Sequence, residues 1–177
     1  MNRSAKTFLA PVFALAALLT TTGASAQSVR NDVHISQIGE RNLADVRQAT
    51  NGTHAARVAQ NGDGNVADLV QDGPGEGAIA VLQTGNANHA MISQTTLAAA
   101  NSILVNQNGT GNRIDLTQDG SDNSAVLNQE GDANRMTVEQ FGTNNALTWS
   151  QVGNGLSGPT VTMDGNRTLT IIQTGGQ

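Results

Sequence analysis

Residues 107–140 read QNGTGNRIDLTQDGSDNSAVLNQEGDANRMTVEQ, and the glutamines Gln107, Gln118, Gln129 and Gln140 return every 11 residues. Inside each interval the other fixed positions are even-numbered steps from the next glutamine. Asn stands six before it (Asn112, Asn123, Asn134), and apolar residues stand four and two before it (Ile114 and Leu116, Ala125 and Leu127, Met136 and Val138). Residues two apart share a face of a β-strand, so Asn, apolar, apolar and Gln all project to one side. Gly follows two after each glutamine (Gly109, Gly120, Gly131), where a tight turn needs backbone angles that other residues resist.

Working outward, the same frame holds for most of the chain. Gln37, Gln48, Gln60, Gln71, Gln83 and Gln94 precede this stretch, and Gln151 and Gln173 follow it. The inward Asn recurs as Asn31, Asn42, Asn65, Asn88, Asn101 and Asn145, and is replaced by His54, Gly77 and Arg167. The turn glycine recurs as Gly39, Gly62, Gly73, Gly85, Gly142, Gly153 and Gly175, with Thr50 and Thr96 in its place twice. Spacings of 12 and 13 fit as longer turns, which leave the in-and-out alternation of strands of about seven residues intact. Charged residues such as Asp45, Arg47, Arg57, Asp68, Arg113, Asp115, Arg135 and Glu139 occupy the alternate positions, which read as a solvated outer face.

Self-similarity at a fixed period is the mark of a repeat architecture. Strand, turn, strand gives a unit of 22–24 residues, and stacked units would put odd strands in one parallel sheet and even strands in another, about 4.8 Å per step. The expected fold is all-β: a two-sheet parallel β-solenoid of about 6.5 such repeats. Composition agrees, because 37% hydrophobic residues with only Phe8, Phe13, Phe141 and Trp149 as aromatics suit thin layers of small side chains better than an ordinary globular core.

A dozen inward glutamines would forbid this fold if left unpaired, at about 1 to 3 kcal/mol per buried orphan. Stacking like on like resolves the problem, each carboxamide donating to one neighbour and accepting from the other. Such a ladder has no natural end. Its first and last layers present unpaired backbone and unpaired amides, and a second copy satisfies both.

The amino terminus reads as a secretory signal over residues 1–26. Arg3 and Lys6 form a basic start, Phe8 to Leu19 an apolar run too short to span a bilayer, and Ala24-Ser25-Ala26 a cleavage site before Gln27. The product would hold 7 of the 9 cationic residues, all Arg, against 14 acids, a net charge of −7. That acidity argues against nucleic acid as a partner. With no cysteine, disulfides, thiolate metal sites and cysteine nucleophiles are excluded.

The pattern Gln-x-Gly-x-x-Asn-x-Ala-x-x-x-Gln, seen from Gln37 to Gln48, Gln60 to Gln71 and Gln83 to Gln94, closely resembles the curlin repeat of curli, the bacterial extracellular functional amyloid. The resemblance covers 31–151 and returns at 167–173. The corresponding division is 1–26 signal, 27–30 short amino-terminal segment, 31–151 repeats, 152–166 degenerate repeat containing Pro159 with its glutamine slot at Thr162, and 167–177 terminal strand and tail. The resemblance implies a subunit exported unfolded through a curli-type outer-membrane machinery, polymerising with itself and a paralogous curlin at the cell surface into fibres that support adhesion and biofilm formation. Acidic turns (Asp63, Asp72, Asp119, Asp122, Asp132), expected to repeat like charge along the stacking axis and so to slow aggregation, favour a major subunit. The short segment before the first strand and the near-uniform 11-residue spacing favour a minor, nucleating one. The major subunit is the reading taken, and the nucleator is its alternative.

Other chemistry finds little footing. The Asn61–Asn65 and Asp119–Asp122 turns hint at calcium, but Val66 stands where an EF-hand requires Gly and no Glu closes the loop. His34 and His89 face outward and His54 inward, with no shared face for a metal. The glycosylation-type triplets at Asn51, Asn108 and Asn166 follow from regular Asn placement in a repeat. No cofactor and no catalytic residue is expected. A monomeric secreted solenoid that binds something, an adhesin or ice-binding module, is the rival from another class; it would want capped ends and a regular outward Thr array, and the outward positions are mixed.

Overall fold

The computed structural model describes residues 31–49 and 51–175. The signal segment, its cleavage pair Ala26 and Gln27, residues 28–30 and Thr50 lie outside the described residues. Every element found is a strand: β1 (Asp32–Ile38), β2 (Leu43–Gln48), β3 (Thr53–Asn61), β4 (Val66–Asp72), β5 (Glu76–Asn86), β6 (His89–Thr96), β7 (Asn101–Thr110), β8 (Arg113–Ser121), β9 (Ser124–Glu130), β10 (Arg135–Thr143), β11 (Ala146–Gly153), β12 (Val161–Asp164) and β13 (Thr168–Gly175).

Odd strands form a seven-stranded sheet in the order β1-β3-β5-β7-β9-β11-β13, and even strands a six-stranded sheet in the order β2-β4-β6-β8-β10-β12. All pairings are parallel, and every one but that of β10 with β12 sets glutamine on glutamine, as in Gln83↔Gln107 and Gln94↔Gln118. Thirteen strands at two per coil make six and a half coils of a two-sheet β-solenoid. Strands run from 4 to 11 residues rather than a uniform seven. The turns are stacked as well as the strands, and their amides bond in parallel from layer to layer, as in Gly62 N–H to Ile38 O at 2.9 Å.

The core is two apolar residues per strand, two and four before each glutamine, from Ala44 and Val46 to Leu147 and Trp149. Leu69, Ile92, Ile114 and Leu127 are fully enclosed, each worth about 1.5–3 kcal/mol of apolar burial. Trp149 fits because Gly158 lies opposite it: a Cβ on Gly158 would stand 2.7 Å from the indole Cζ2.

The degenerate segment departs from its expected register. Arg135 pairs with Ser157, an offset of 22, but Val138 pairs with Val161 and Gln140 with Met163, an offset of 23. One extra residue is absorbed around Gly158 and Pro159, so the glutamine slot falls on Met163, not on Thr162. Pro159 lies just outside β12, the edge strand of its sheet, where its missing N–H costs no ladder bond. Phe141 belongs to β10 and is exposed.

The two outer faces differ. On the six-stranded sheet Arg113 and Arg135 both reach Asp115, at 2.7 and 3.0 Å, and Arg47 bonds Asp45 and Asp68. On the seven-stranded sheet the middle of the outer face is Ala55, Ala78, Ala80, Leu104 and Val126 around Arg57, so the charged outward residues concentrate on the other side.

Candidate self-assembly site

Two columns of carboxamides run the length of the coil. On the seven-stranded sheet each Nε2 donates to the next Oε1: Gln37 to Gln60 (2.6 Å), Gln60 to Gln83 (2.7 Å), Gln83 to Gln107 (2.8 Å), Gln107 to Gln129 (3.0 Å), Gln129 to Gln151 (2.9 Å) and Gln151 to Gln173 (2.8 Å). On the other sheet the column runs Gln48, Gln71, Gln94, Gln118, Gln140, with bonds of 2.8–3.0 Å. It then meets the Met163 thioether, to which Gln140 Nε2 donates at 3.8 Å.

The second amide hydrogen crosses the core. Gln60 Nε2 donates to Leu43 O, Gln83 to Val66 O and Gln140 to Ser124 O, each on the opposing sheet, at 2.9–3.0 Å. One side chain therefore ties successive layers together and the two sheets to each other. Satisfying both hydrogens removes the desolvation cost that would otherwise exclude glutamine from a core.

The asparagine columns work differently from the expected side-chain ladder. Their main partners are backbone groups. Asn65 Oδ1 accepts the backbone N–H of Asn88 at 3.0 Å, and Asn65 Nδ2 donates to Gly85 O at 2.8 Å. Asn42, Asn88, Asn112, Asn123 and Asn134 repeat the bond to a turn glycine in the next layer (Gly62, Gly109, Gly131, Gly142, Gly153), and Asn101 reaches Gly120. Asn31 donates to Ala49 O and accepts His54 N–H, while Asn145 Nδ2 bonds Asn123 Oδ1 and Phe141 O. Asn is thus a corner clamp, its short side chain reaching backbone that Gln overshoots.

All ten predicted turn glycines have positive φ, from 82° at Gly142 to 146° at Gly175. Stacking adds a second demand. A Cβ on Gly109 would lie 2.1 Å from Gly131 O. A second left-handed residue stands one before most of the inward corner positions, and six of these are not glycine: Arg41, Ala87, Asp122, Ala133 and Asn144 before an Asn, and Asn166 before Arg167. Their recurrence one before the Asn is a sequence signal that attention to Gln and Gly alone passes over.

His54 fills an Asn position and imitates it. It is fully buried, and Nε2 lies 3.1 Å from Gly73 O, the bond an Asn would make. A carbonyl only accepts, so Nε2 carries the hydrogen and Nδ1 is bare, with no partner among the described residues. The next layer leaves room by having Gly77, where a Cβ would stand 2.8 Å from Nδ1. Burial lowers the His54 pKa below 6.5, against smaller opposing effects of the Gly73 bond and Asp72. On the outer face, burial and the neighbouring Arg113 guanidinium lower His89.

Acidic turn residues do not stack on one another as expected. Asp72 and Asp119 are separated by Thr95, and Asp119 and Asp164 by Phe141. Asp132 accepts Thr110 N–H at 2.7 Å and gives its own N–H to Asn154 Oδ1 at 2.8 Å. Asp132, and Asp63 through Glu40 N–H at 2.7 Å, thus bind stacked turns together.

The end layers are open. Gln37 is exposed and Gln48, Asn31, Asn42 and Gln173 are half-buried, unlike the enclosed amides between them. Among the described residues Gln37 Oε1 has no donor and Gln173 Nε2 no acceptor. The column thus begins on an open acceptor and ends on an open donor.

The curlin associated repeat model matches residues 98–131 and 109–142. No curated protein and no solved structure matches the chain.

Proposed function

We propose that this chain, two overlapping stretches of which match the curlin associated repeat, is a curlin-type structural subunit of an extracellular amyloid fibre built by head-to-tail stacking of β-solenoids. One observation carries the reading. The Gln37–Gln173 column has an acceptor at its first layer and a donor at its last, so a second copy placed end to end continues it with the same bond and the same polarity. A head-to-head arrangement would oppose acceptor to acceptor. Continuing the coil also pairs the edge backbone of β1 and β2 with that of β13 and β12, covering edges that a soluble protein ordinarily protects.

On this reading the chain is exported behind its amino-terminal signal, passes the outer membrane through a curli-type machinery, and polymerises at the cell surface, with a paralogous curlin as second component. The role is structural, in adhesion and biofilm formation. The major subunit is favoured; the interleaving of turn acids with uncharged residues removes part of the argument for it, which keeps the nucleator as the specific alternative.

The test is seeded growth. Purified chain from Gln27 onward is expected to elongate into fibres after a lag that preformed seeds abolish. A monomer stable for days at tens of micromolar, with or without seeds, would overturn the proposal in favour of a monomeric binding module.

A further inference from the structure

Each coil carries four inward amide positions, one Asn and one Gln on each sheet. In the first coil all four are amides: Asn31, Gln37, Asn42 and Gln48. The final positions of the same four columns are Arg167, Gln173, Leu156 and Met163, as the pairings Leu147↔Leu169, Gln151↔Gln173 and Gln140↔Met163 and the bond from Leu156 N–H to Asn134 Oδ1 establish. Three of the four have lost the amide. The first layer is a complete template and the last a depleted one.

Resting on the head-to-tail reading above, we infer that the junction between copies is the weakest rung of the fibre, and that Met163, Arg167 and Leu156 set its strength. In a stacked pair Gln173 Nε2 meets Gln37 Oε1 of the next copy and repeats the internal bond. Gln48 Oε1 of that copy meets the Met163 thioether, which has no hydrogen to donate. Within the chain the equivalent Oε1 groups of Gln71, Gln94, Gln118 and Gln140 all receive a hydrogen from the preceding layer. The amino-terminal corner fares likewise. Backbone N–H groups of Asn65, Asn88, Asn112 and Asn134 are accepted by an Asn Oδ1 one layer earlier. Those of Asn31 and Asn42 would face Arg167 and Leu156, which offer no carboxamide. A buried acceptor left without a donor costs more than the bond itself contributes, so these losses concentrate where copies meet. The occupant of each end is a second copy of this chain, held by backbone pairing but by only one side-chain amide rung of four, and such a fibre breaks and sheds subunits between copies rather than within them.

The test uses the chain from Gln27 onward and reads the monomer concentration left at the plateau of seeded growth. Met163→Gln is expected to lower it about fivefold or more, the factor carried by one hydrogen bond of about 1 kcal/mol, and Arg167→Asn to shift it in the same direction. A glutamine at 163 would also strengthen the internal bond from Gln140, so the decisive measurement is Met163→Gln in a Gln48→Ala background. Loss of the gain there places it at the junction; retention of the full gain overturns the inference. An unchanged or raised plateau for both single variants, with fibres formed, also overturns it. If wild type stays monomeric while either variant polymerises, the mismatch is upheld and the fibre role of the natural chain is rejected; if none polymerises, both fall.

Discussion

The indole Nε1 of Trp149 donates to Gln173 Oε1 at 3.0 Å, and the same oxygen accepts Gln151 Nε2 at 2.8 Å. The last amide of the column is therefore held by two donors, and its Nε2 has no acceptor among the described residues. A large aromatic ring stands one layer before the end because Gly158 makes space for it and because its N–H needs a buried partner.

Trp149→Phe keeps most of the ring and removes the N–H. It should release one of the two bonds on Gln173 and loosen β13 by about 1 kcal/mol, read as faster amide exchange over 168–175 with exchange over β5 to β8 unchanged. As the chain's only tryptophan and 1% exposed, Trp149 itself should emit at short wavelength and resist acrylamide in the assembled protein. Bulk-water emission there would contradict the enclosure of the indole.

Gln83→Ala removes an acceptor from Gln60 and a donor from Gln107, leaving two buried groups unpaired. The expected loss is about 2–6 kcal/mol, from a penalty of roughly 1–3 for each. Arg57→Ala, on the outer face, should change stability by no more than about 0.5 kcal/mol. Urea midpoints of assembled fibres measure the difference, and equal shifts would refute the inward column.

Gly109 and Gly111 sit two apart in one turn, both with positive φ, 125° and 69°. A Cβ on Gly111 meets nothing within 4 Å, whereas one on Gly109 collides with Gly131 O. Gly111→Ala should cost about 1 kcal/mol, the penalty of the left-handed region alone. Gly109→Ala should cost at least twice that and stall elongation, since stacked backbone at a fixed spacing cannot move aside. Similar elongation rates for the two would show that the turns are not tightly stacked.

Acid should weaken the folded layers through His54 and His89. Both have pKa values lowered from 6.5 by burial, with Arg113 adding to the effect at His89. The unfolded chain therefore binds protons more readily, so this part of the stability is present above about pH 6.5 and is lost as pH falls below it toward the lowered values. Urea midpoints should drop between pH 7 and pH 5.5, and His54→Asn, which places the column's usual residue there, should flatten the slope. A slope unchanged in that variant would remove His54 from the explanation.

Most of the architecture is legible without coordinates, and the reason is topological. In a coil every residue meets the one 22 to 24 positions on, as at Gln107 to Gln129 and Gln83 to Gln107. A repeated letter is then a stated contact, and the alternation around Ile114 and Leu116 says which side is inside. The glutamine columns, the turn glycines and the substituted positions at His54, Gly77 and Arg167 are readable in this way.

Only the folded coil decides what periodicity leaves open. Parity tells that Asn65 points inward, but whether its amide meets a side chain or the Gly85 carbonyl depends on how near the corner backbone passes. Spacing alone puts the empty slot at Thr162; the extra residue taken up around Gly158 and Pro159 moves it to Met163, because an irregular segment has no period to count by. The contrast between a charged and an apolar outer face, and the opposite polarity of Gln37 and Gln173 as the two ends of a column, likewise arise from how the layers stack. A one-dimensional repeat specifies which layers touch, and three-dimensional packing specifies which atoms within them do.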